Sequence, residues 1–363
     1  MRLRVAEETG VNAVKVVASK GILAPQSLLT RASFLNAIVV LQAIGGSTNA
    51  VVHLMAIINR HPVLAKSISL DTFDEIGRKV PLVVDLKPSG DNYMNDFHNA
   101  GGMGALLLTL RPLLYLDAMT ITGQTLGEVL NALPPSTGAS SYSKQIIRPL
   151  SDPLYPASSL AVVRGNLAPN GAIIKASASK YVHLLRHSGP AVVFRNTADL
   201  AARIDDLDLN VTKESVLVLQ GIGPIGNPGM PEAGVIPIPR KLAAEGVEDM
   251  LRISDGRMSG TAGGTILLHV SPESAVLDSV LGIIQDGDII TFNCEQRLIN
   301  LQVDDVEIKH RMSLRKISPG EQEVLHARKV KRGYRGLYER SVNQAENGAD
   351  FEFLTAAGLS TST

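Results

Sequence analysis

Leu219-Gln-Gly-Ile-Gly-Pro-Ile-Gly-Asn-Pro-Gly-Met-Pro-Glu232 and Leu251-Arg-Ile-Ser-Asp-Gly-Arg-Met-Ser-Gly-Thr-Ala-Gly-Gly264 are two glycine-rich loops separated by one short segment that reads as helical. The first loop follows Ser215-Val-Leu-Val-Leu-Gln220, a β-branched apolar run expected to be a buried strand. Glycine lets backbone N–H groups approach a ligand closely, which makes the loop a candidate anion cradle. A strand-to-helix turn that uses glycine for its conformation alone is the other reading. The loop carries one carboxylate, Glu232, where Pro-Glu is placed to open the next helix and to present the carboxylate rather than pack it. The second loop carries the hydroxyls of Ser259 and Thr261, flanked by Asp255 and Arg257. Carboxylate and hydroxyls are placed to converge on one ligand.

Upstream, Arg31 to Leu41 has Phe34, Leu35, Ile38 and Leu41 at helical spacing. Gly45-Gly-Ser-Thr-Asn49 interrupts the pattern and Val51 to Ile58 resumes it. Ser47, Thr48 and Asn49 therefore stand at a helix N-terminus, either offering donors to an anion or forming a capping turn between packed helices. Leu82 to Leu86 is expected to be a short strand, with Lys87-Pro-Ser-Gly90 as the turn leaving it. Tyr93 to Ala100 reads as one or two helical turns, placing His98 near a glycine pair as a substrate-binding or acid–base candidate, or as an ordinary packed histidine. The prolines and serines between Ala132 and Pro156 suggest a linker. After it come short β-branched runs: Leu160–Arg164, Ala172–Lys175, Ala191–Phe194, Val216–Leu219, Thr265–Val270, Ile289–Phe292 and Ile299–Gln302. Such runs indicate a mixed β barrel or sandwich with helices packed against it. Val324 to Phe353 is expected to be a docking helix.

At the level of motifs, Pro228-Gly-Met-Pro-Glu232 followed by Ile253-Ser-Asp-Gly-Arg-Met-Ser259-Gly-Thr261 resembles the dihydroxy-acid dehydratase and 6-phosphogluconate dehydratase family. Met230-Pro-Glu-Ala-Gly234 and Arg257-Met-Ser-Gly-Thr-Ala262 are similar to its sugar-acid branch, which includes arabinonate and xylonate dehydratases. The resemblance continues through Gly45–Asn49, Lys87–Gly90, Tyr93–His98, Ala100–Gly102, Gly165–Gly171, His269–Glu273 and Asp286–Asp288. It implies an α/β fold: the remainder of an α/β/α N-terminal domain over residues 1–150, then a swivelling β/α barrel-like domain with a helical tail over 151–363. It also implies a hydro-lyase (dehydratase) that turns a 2,3-dihydroxy carboxylate into a 2-oxo acid. In the family an iron–sulfur cluster acts as Lewis acid and Mg2+ holds the substrate.

Residue by residue, Ser259 matches the family's alkoxide base, Glu232 a magnesium ligand and Thr261 a substrate-contacting hydroxyl. Serine needs a nearby cation to become a base, and Arg257 or the metal is the candidate. Arg257, Ser47, Asn49 and His98 complete the expected substrate-binding set. The family's cluster cysteines, aspartate magnesium ligands and carbamylated lysine belong to a region N-terminal to the matching motifs. Val83-Val84 stands where some relatives carry Leu-Cys. The expectation is a truncated relative, either a lyase completed by another chain or a non-catalytic small-anion-binding or interaction subunit, as a homodimer or with a full-length paralogue.

Composition narrows the alternatives. With 363 residues the chain can hold two domains. Thirty-five basic and thirty-five acidic residues cancel, so no global field favours nucleic acid or an anionic membrane. The basic concentration from Lys309 to Arg335 includes acids and reads as solvated helix faces. Cys294 is the only cysteine, which rules out an internal disulfide or a cysteine-held cluster within the sequence, and its strand-like setting suggests a small buried thiol. The acidic, helix-like start shows no targeting segment and no apolar run is long enough to span a bilayer, so the expected location is soluble and intracellular, cytoplasmic or mitochondrial.

Overall fold

The computed structural model describes residues 2–19, 21, 23–65, 67–259, 263–323 and 331–357. The β-branched runs form eight strands of one sheet: β1 (Ala161–Val163), β2 (Gly171–Ile174), β3 (Arg186–Phe194), β4 (Val216–Leu219), β5 (Arg252–Ser254), β6 (Ile266–Ser271), β7 (Ile289–Asn293) and β8 (Leu298–Leu301). Their order is β1-β2-β6-β5-β4-β3-β7-β8, with β3, β4, β5 and β6 parallel and the outer pairings antiparallel. The two ends of the sheet meet. Arg164, just after β1, bridges Leu298 of β8; its N–H donates to Arg297 O at 2.9 Å and its carbonyl accepts from Ile299 N at 2.8 Å. Closure of this kind removes the exposed edges of an open sheet. Gly165 allows the seam, since a Cβ there would meet the Ile299 carbonyl.

Alternation along the strands sorts the side chains. Val163, Ile174, Val193, Val218, Ile253 and Phe292 fill the barrel, whereas Phe194, Leu217, Leu219 and Leu268 point outward. The outward set packs against Leu200 of the helix Thr197–Arg203 and Leu242 of the helix Arg240–Ala244. On the β1–β2 side, Val162 and Ile173 pack under Ile38 of the helix Arg31–Ala43, Met55 and Ile58 of the helix Asn49–Arg60, and Phe73 of the helix Leu70–Gly77. The N-terminal helical layer is thus seated on the barrel wall through apolar burial, worth about 25 cal/mol per Å² removed from water.

Gln42 pins that junction. Its carboxamide donates to Leu160 O at 3.1 Å and accepts from Leu160 N and Ser159 Oγ, both at 3.0 Å. Gln42→Leu leaves these buried groups without partners and is expected to lower stability by about 2 kcal/mol in urea unfolding.

The structure departs from several expectations. Leu82–Leu86 forms no regular strand; Leu82 and Val84 make isolated bridges to Tyr155 and Ile147, and Val83 N–H donates to Ala43 O at the end of a helix. The N-terminal region is therefore helical with isolated bridges. The proline-rich stretch holds a helix, Ser141–Ile146, whose Ile146 joins Val83, Phe97 and Leu106 in a second N-terminal core. One strand, β5, was not expected: it is only three residues long and contains a buried arginine. Residues 2–18 are helical, and residues 3–15, 17 and 18 are exposed. In the tail, residues 324–330 lie outside the described set; the helix Gly333–Ser341 and the Phe351 ring, against Tyr334 and Tyr338, pack near an Arg60–Asp350 pair at 2.5 and 2.7 Å. Cys294, just past β7, is buried as expected. Among the described residues no helix is long and apolar enough to cross a membrane.

Candidate active site at the barrel and helix junction

The turn at Gly45, with φ of 60°, ends one helix and sets up the next at Asn49. Here the capping reading holds for the backbone. Asn49 N–H donates to Ser47 Oγ at 3.2 Å, and the Ala50 and Val51 amides are taken by the Ser47 and Thr48 carbonyls. It is the Asn49 side chain that reaches outward. Its Nδ2 donates to the Glu232 carboxylate and to Met258 O, the latter at 3.2 Å. One carboxamide on the N-terminal helical layer therefore ties the ends of both glycine-rich loops together. Asn49 is only 7% exposed, and its Oδ1 has no hydrogen-bond partner, leaving a buried acceptor beside Glu232.

The first loop is not an open anion cradle. Its donors are occupied by the chain's own acids: Gly221 N and Ile222 N donate to Asp255 at 3.3 and 3.1 Å, and Ile225 N and Gly226 N donate to Glu273 at 2.9 and 2.8 Å. Asp255, which flanks the hydroxyls of the second loop in sequence, is fully buried. Burial pushes its carboxyl upward against the bonds from Ser274. Burial also pushes Glu273 up to about 7, with the Asp255 charge adding to the shift. Glu232 does not open a helix either; the next one starts at Arg240 after Pro239, and Glu232 stands exposed in the loop between.

The second loop runs from β5 to β6. Ser259 is exposed on its outer side and, with Thr48, Met258 and Lys175, borders a 20 Å³ pocket, room for about one water. Arg257 is turned elsewhere. It donates to Met230 O and, at 3.3 Å, to His53 Nε2, and it lines a separate 440 Å³ cavity with Tyr338. The cation beside Ser259 is therefore Lys175 rather than Arg257. Pro88 of the Lys87–Gly90 turn approaches from the other side; a Cβ on Gly263 would lie 3.2 Å from its Cβ. His98 is exposed in the last turn of the helix Met94–Asn99, and among the described residues no hydrogen bond joins it to the Asn49 cluster. Thr261 lies outside the described residues.

Lys175 escaped the sequence reading. The available signal was a lysine ending the wholly buried run Gly171-Ala-Ile-Ile174. No carboxylate pairs with it among the described residues, and burial brings its ammonium down to about 8.

Two comparisons bear on this arrangement. The description "Dihydroxy-acid/6-phosphogluconate dehydratase N-terminal" matches residues 1–129, and the C-terminal counterpart matches residues 145–349. The chain belongs to the dihydroxy-acid/6-phosphogluconate dehydratase family. Among its relatives, the chain is 41% identical to a 6-deoxy-6-sulfo-D-gluconate dehydratase of Pseudomonas putida, over 92% of this chain and 55% of the relative. It is 41% identical to an L-arabonate dehydratase of Azospirillum brasilense, over 97% and 58%. To a dihydroxy-acid dehydratase of Synechococcus sp. it is 38% identical, over 93% and 57%. The chain thus spans less than three-fifths of the length of each of these dehydratases.

The cofactors that the family resemblance implies can be tested against these side chains. Among the described residues no group of three or more His, Cys, Asp or Glu is arranged to hold a metal ion, and Cys294 is a single buried thiol in the barrel wall. These residues do not fit an iron–sulfur cluster. Magnesium needs fewer protein ligands, commonly one or two carboxylates completed by substrate and water. The exposed Glu232 carboxylate, held by Asn49, fits that role as one ligand.

Proposed function

We propose that the chain carries the proton-accepting and carboxylate-holding part of a hydro-lyase site for a 2,3-dihydroxy carboxylate, a dihydroxy acid or a sugar acid, leading to a 2-oxo acid. We place the division between helical layer and barrel at residues 150 and 151. The observation that carries the reading is the Asn49 clamp, which brings Glu232 and the Ser259 loop to one helix N-terminus. Ser259 would take the proton from the carbon next to the substrate carboxylate, and the unpartnered Asn49 Oδ1 would accept a hydrogen bond from a substrate hydroxyl. Magnesium, when bound through Glu232, would supply positive charge for the substrate carboxylate and 2-hydroxyl. Help for the departing 3-hydroxyl comes from no described residue.

That last point supports a second reading, a non-catalytic relative that keeps a hydroxy-carboxylate-binding cleft or serves as an interaction subunit. Anaerobic incubation with iron and sulfide, metal analysis and a 2-oxo acid assay over a panel of 2,3-dihydroxy acids and aldonates separates the two. Product that disappears with Ser259→Ala supports the hydro-lyase. A folded, iron-free chain that makes none overturns it in favour of the binding reading.

A further inference from the structure

We propose that Lys175 is the positioning residue that activates Ser259, taking the Ser259 hydroxyl proton on its amine across the pocket the two side chains share. This deepens the hydro-lyase reading and rests on it for its chemical purpose. Three observations place the pair. The strand β2 ends at Ile174 and delivers Lys175 to the pocket bordered by Ser259. The other side chains lining the pocket, Thr48, Ala178, Met258, Ile266 and Leu268, carry no charge. With no carboxylate to hold the ammonium among the described residues, burial alone acts on Lys175 and lowers its proton affinity, so that a minor fraction is the free amine near neutral pH and the fraction grows as pH rises.

The proton balance is simple. The Ser259 O–H bond breaks and its proton joins the lone pair of the Lys175 amine, giving an alkoxide–ammonium pair. The alkoxide then removes the C2 proton and becomes a hydroxyl again, while the C2–H electron pair forms the C2–C3 double bond and the 3-hydroxyl leaves with the C3–O pair. Lys175 returns its proton to solvent, where it completes water with the departed hydroxide. A partly buried amine whose proton affinity is lowered is the acceptor such a step requires.

The test reads the pair without turnover. In Ser259→Cys, the introduced thiol is alkylated with iodoacetamide from pH 6 to 10 and quantified by peptide mass, which separates it from the buried Cys294. With Lys175 present the alkylation midpoint is expected at least one pH unit below that of a free thiol, and adding Lys175→Met is expected to slow alkylation at pH 7 at least tenfold. Lys175→Gln serves as the second neutral variant, with thermal melts showing that each is folded. Equal rates with and without Lys175 overturn the pairing. Lysine-dependent reactivity in a chain that forms no 2-oxo acid keeps the pairing and removes only the hydro-lyase reading.

Discussion

Asp249→Ala is expected to lower stability by about 3–5 kcal/mol, because it strands a buried cation at the base of the Ser259 loop. Asp249 accepts from Thr265 N at 2.9 Å, Thr265 Oγ1 at 2.8 Å, Met250 N at 3.0 Å and the Arg252 guanidinium at 2.8 Å. Arg252 lies in β5 and is 8% exposed; it also donates to Ile236 O at 3.0 Å and to Gly263 O at 3.2 Å. Burial lowers the proton affinity of this guanidinium and the Asp249 charge restores part of it. The pair thus fixes both the entry strand of the loop and its exit at Gly263 and Thr265. Gly264, at φ of 101°, is confined to glycine because a Cβ would strike both Arg252 and Asp249. Urea unfolding of Asp249→Ala, Arg252→Met and the double variant checks the cause. If the stranded charge dominates, the double variant is more stable than Asp249→Ala alone; additive losses would place the cost in Asp249's other bonds.

The second large effect is a pH dependence centred on Glu273. Its folded carboxyl is pushed up to about 7 from an ordinary 4.5. The folded chain therefore binds more protons than the unfolded one between those values, so stability is greatest at the acid end of this window. It falls as pH rises through it, by about 3 kcal/mol in all. Asp255, raised in the same direction by burial, adds to the fall. Glu273→Gln keeps an acceptor for Ile225 and Gly226 while removing the ionisation, and is expected to flatten most of the slope in urea midpoints measured from pH 4.5 to 8. An unchanged slope would place the titration on another group.

Much of the fold was legible because short β-branched apolar runs are a local signal: seven of the eight strands overlap runs apparent in the sequence, though β3 begins five residues before its run. The strand β5 was hidden because Arg252 breaks the apolar pattern and is tolerated only through Asp249, a partner three positions away whose role depends on Thr265 as well. Leu82–Leu86 erred the other way; its apolar run is genuine, but it is paid in isolated bridges and packing rather than in a ladder. In the site, Glu232, Ser259 and Asn49 were visible as reactive types on glycine-rich or helix-start backbone. The Asn49 clamp was not, since it joins positions 183 and 209 residues apart. The same long range explains the cradle: nothing local to Gly221–Gly226 announces that Asp255 and Glu273 fill it. Lys175 was hidden for a related reason, as its neighbours in the pocket come from Thr48 and from the loop at Met258 and Ser259.

Calorimetric titration of the chain with a panel of 2,3-dihydroxy acids and aldonates in Mg2+ buffer, repeated with Glu232→Gln, tests most directly whether the clamped loops form one binding site. Glu232 is exposed, and the amide retains an oxygen for Asn49, so the substitution removes charge with little effect on folding. The expected result is binding of at least one of these acids by the unaltered chain, weakened at least tenfold by Glu232→Gln, about 1.4 kcal/mol. Binding of equal strength in both proteins, or none in either, would contradict the site assigned to Asn49, Glu232 and Ser259.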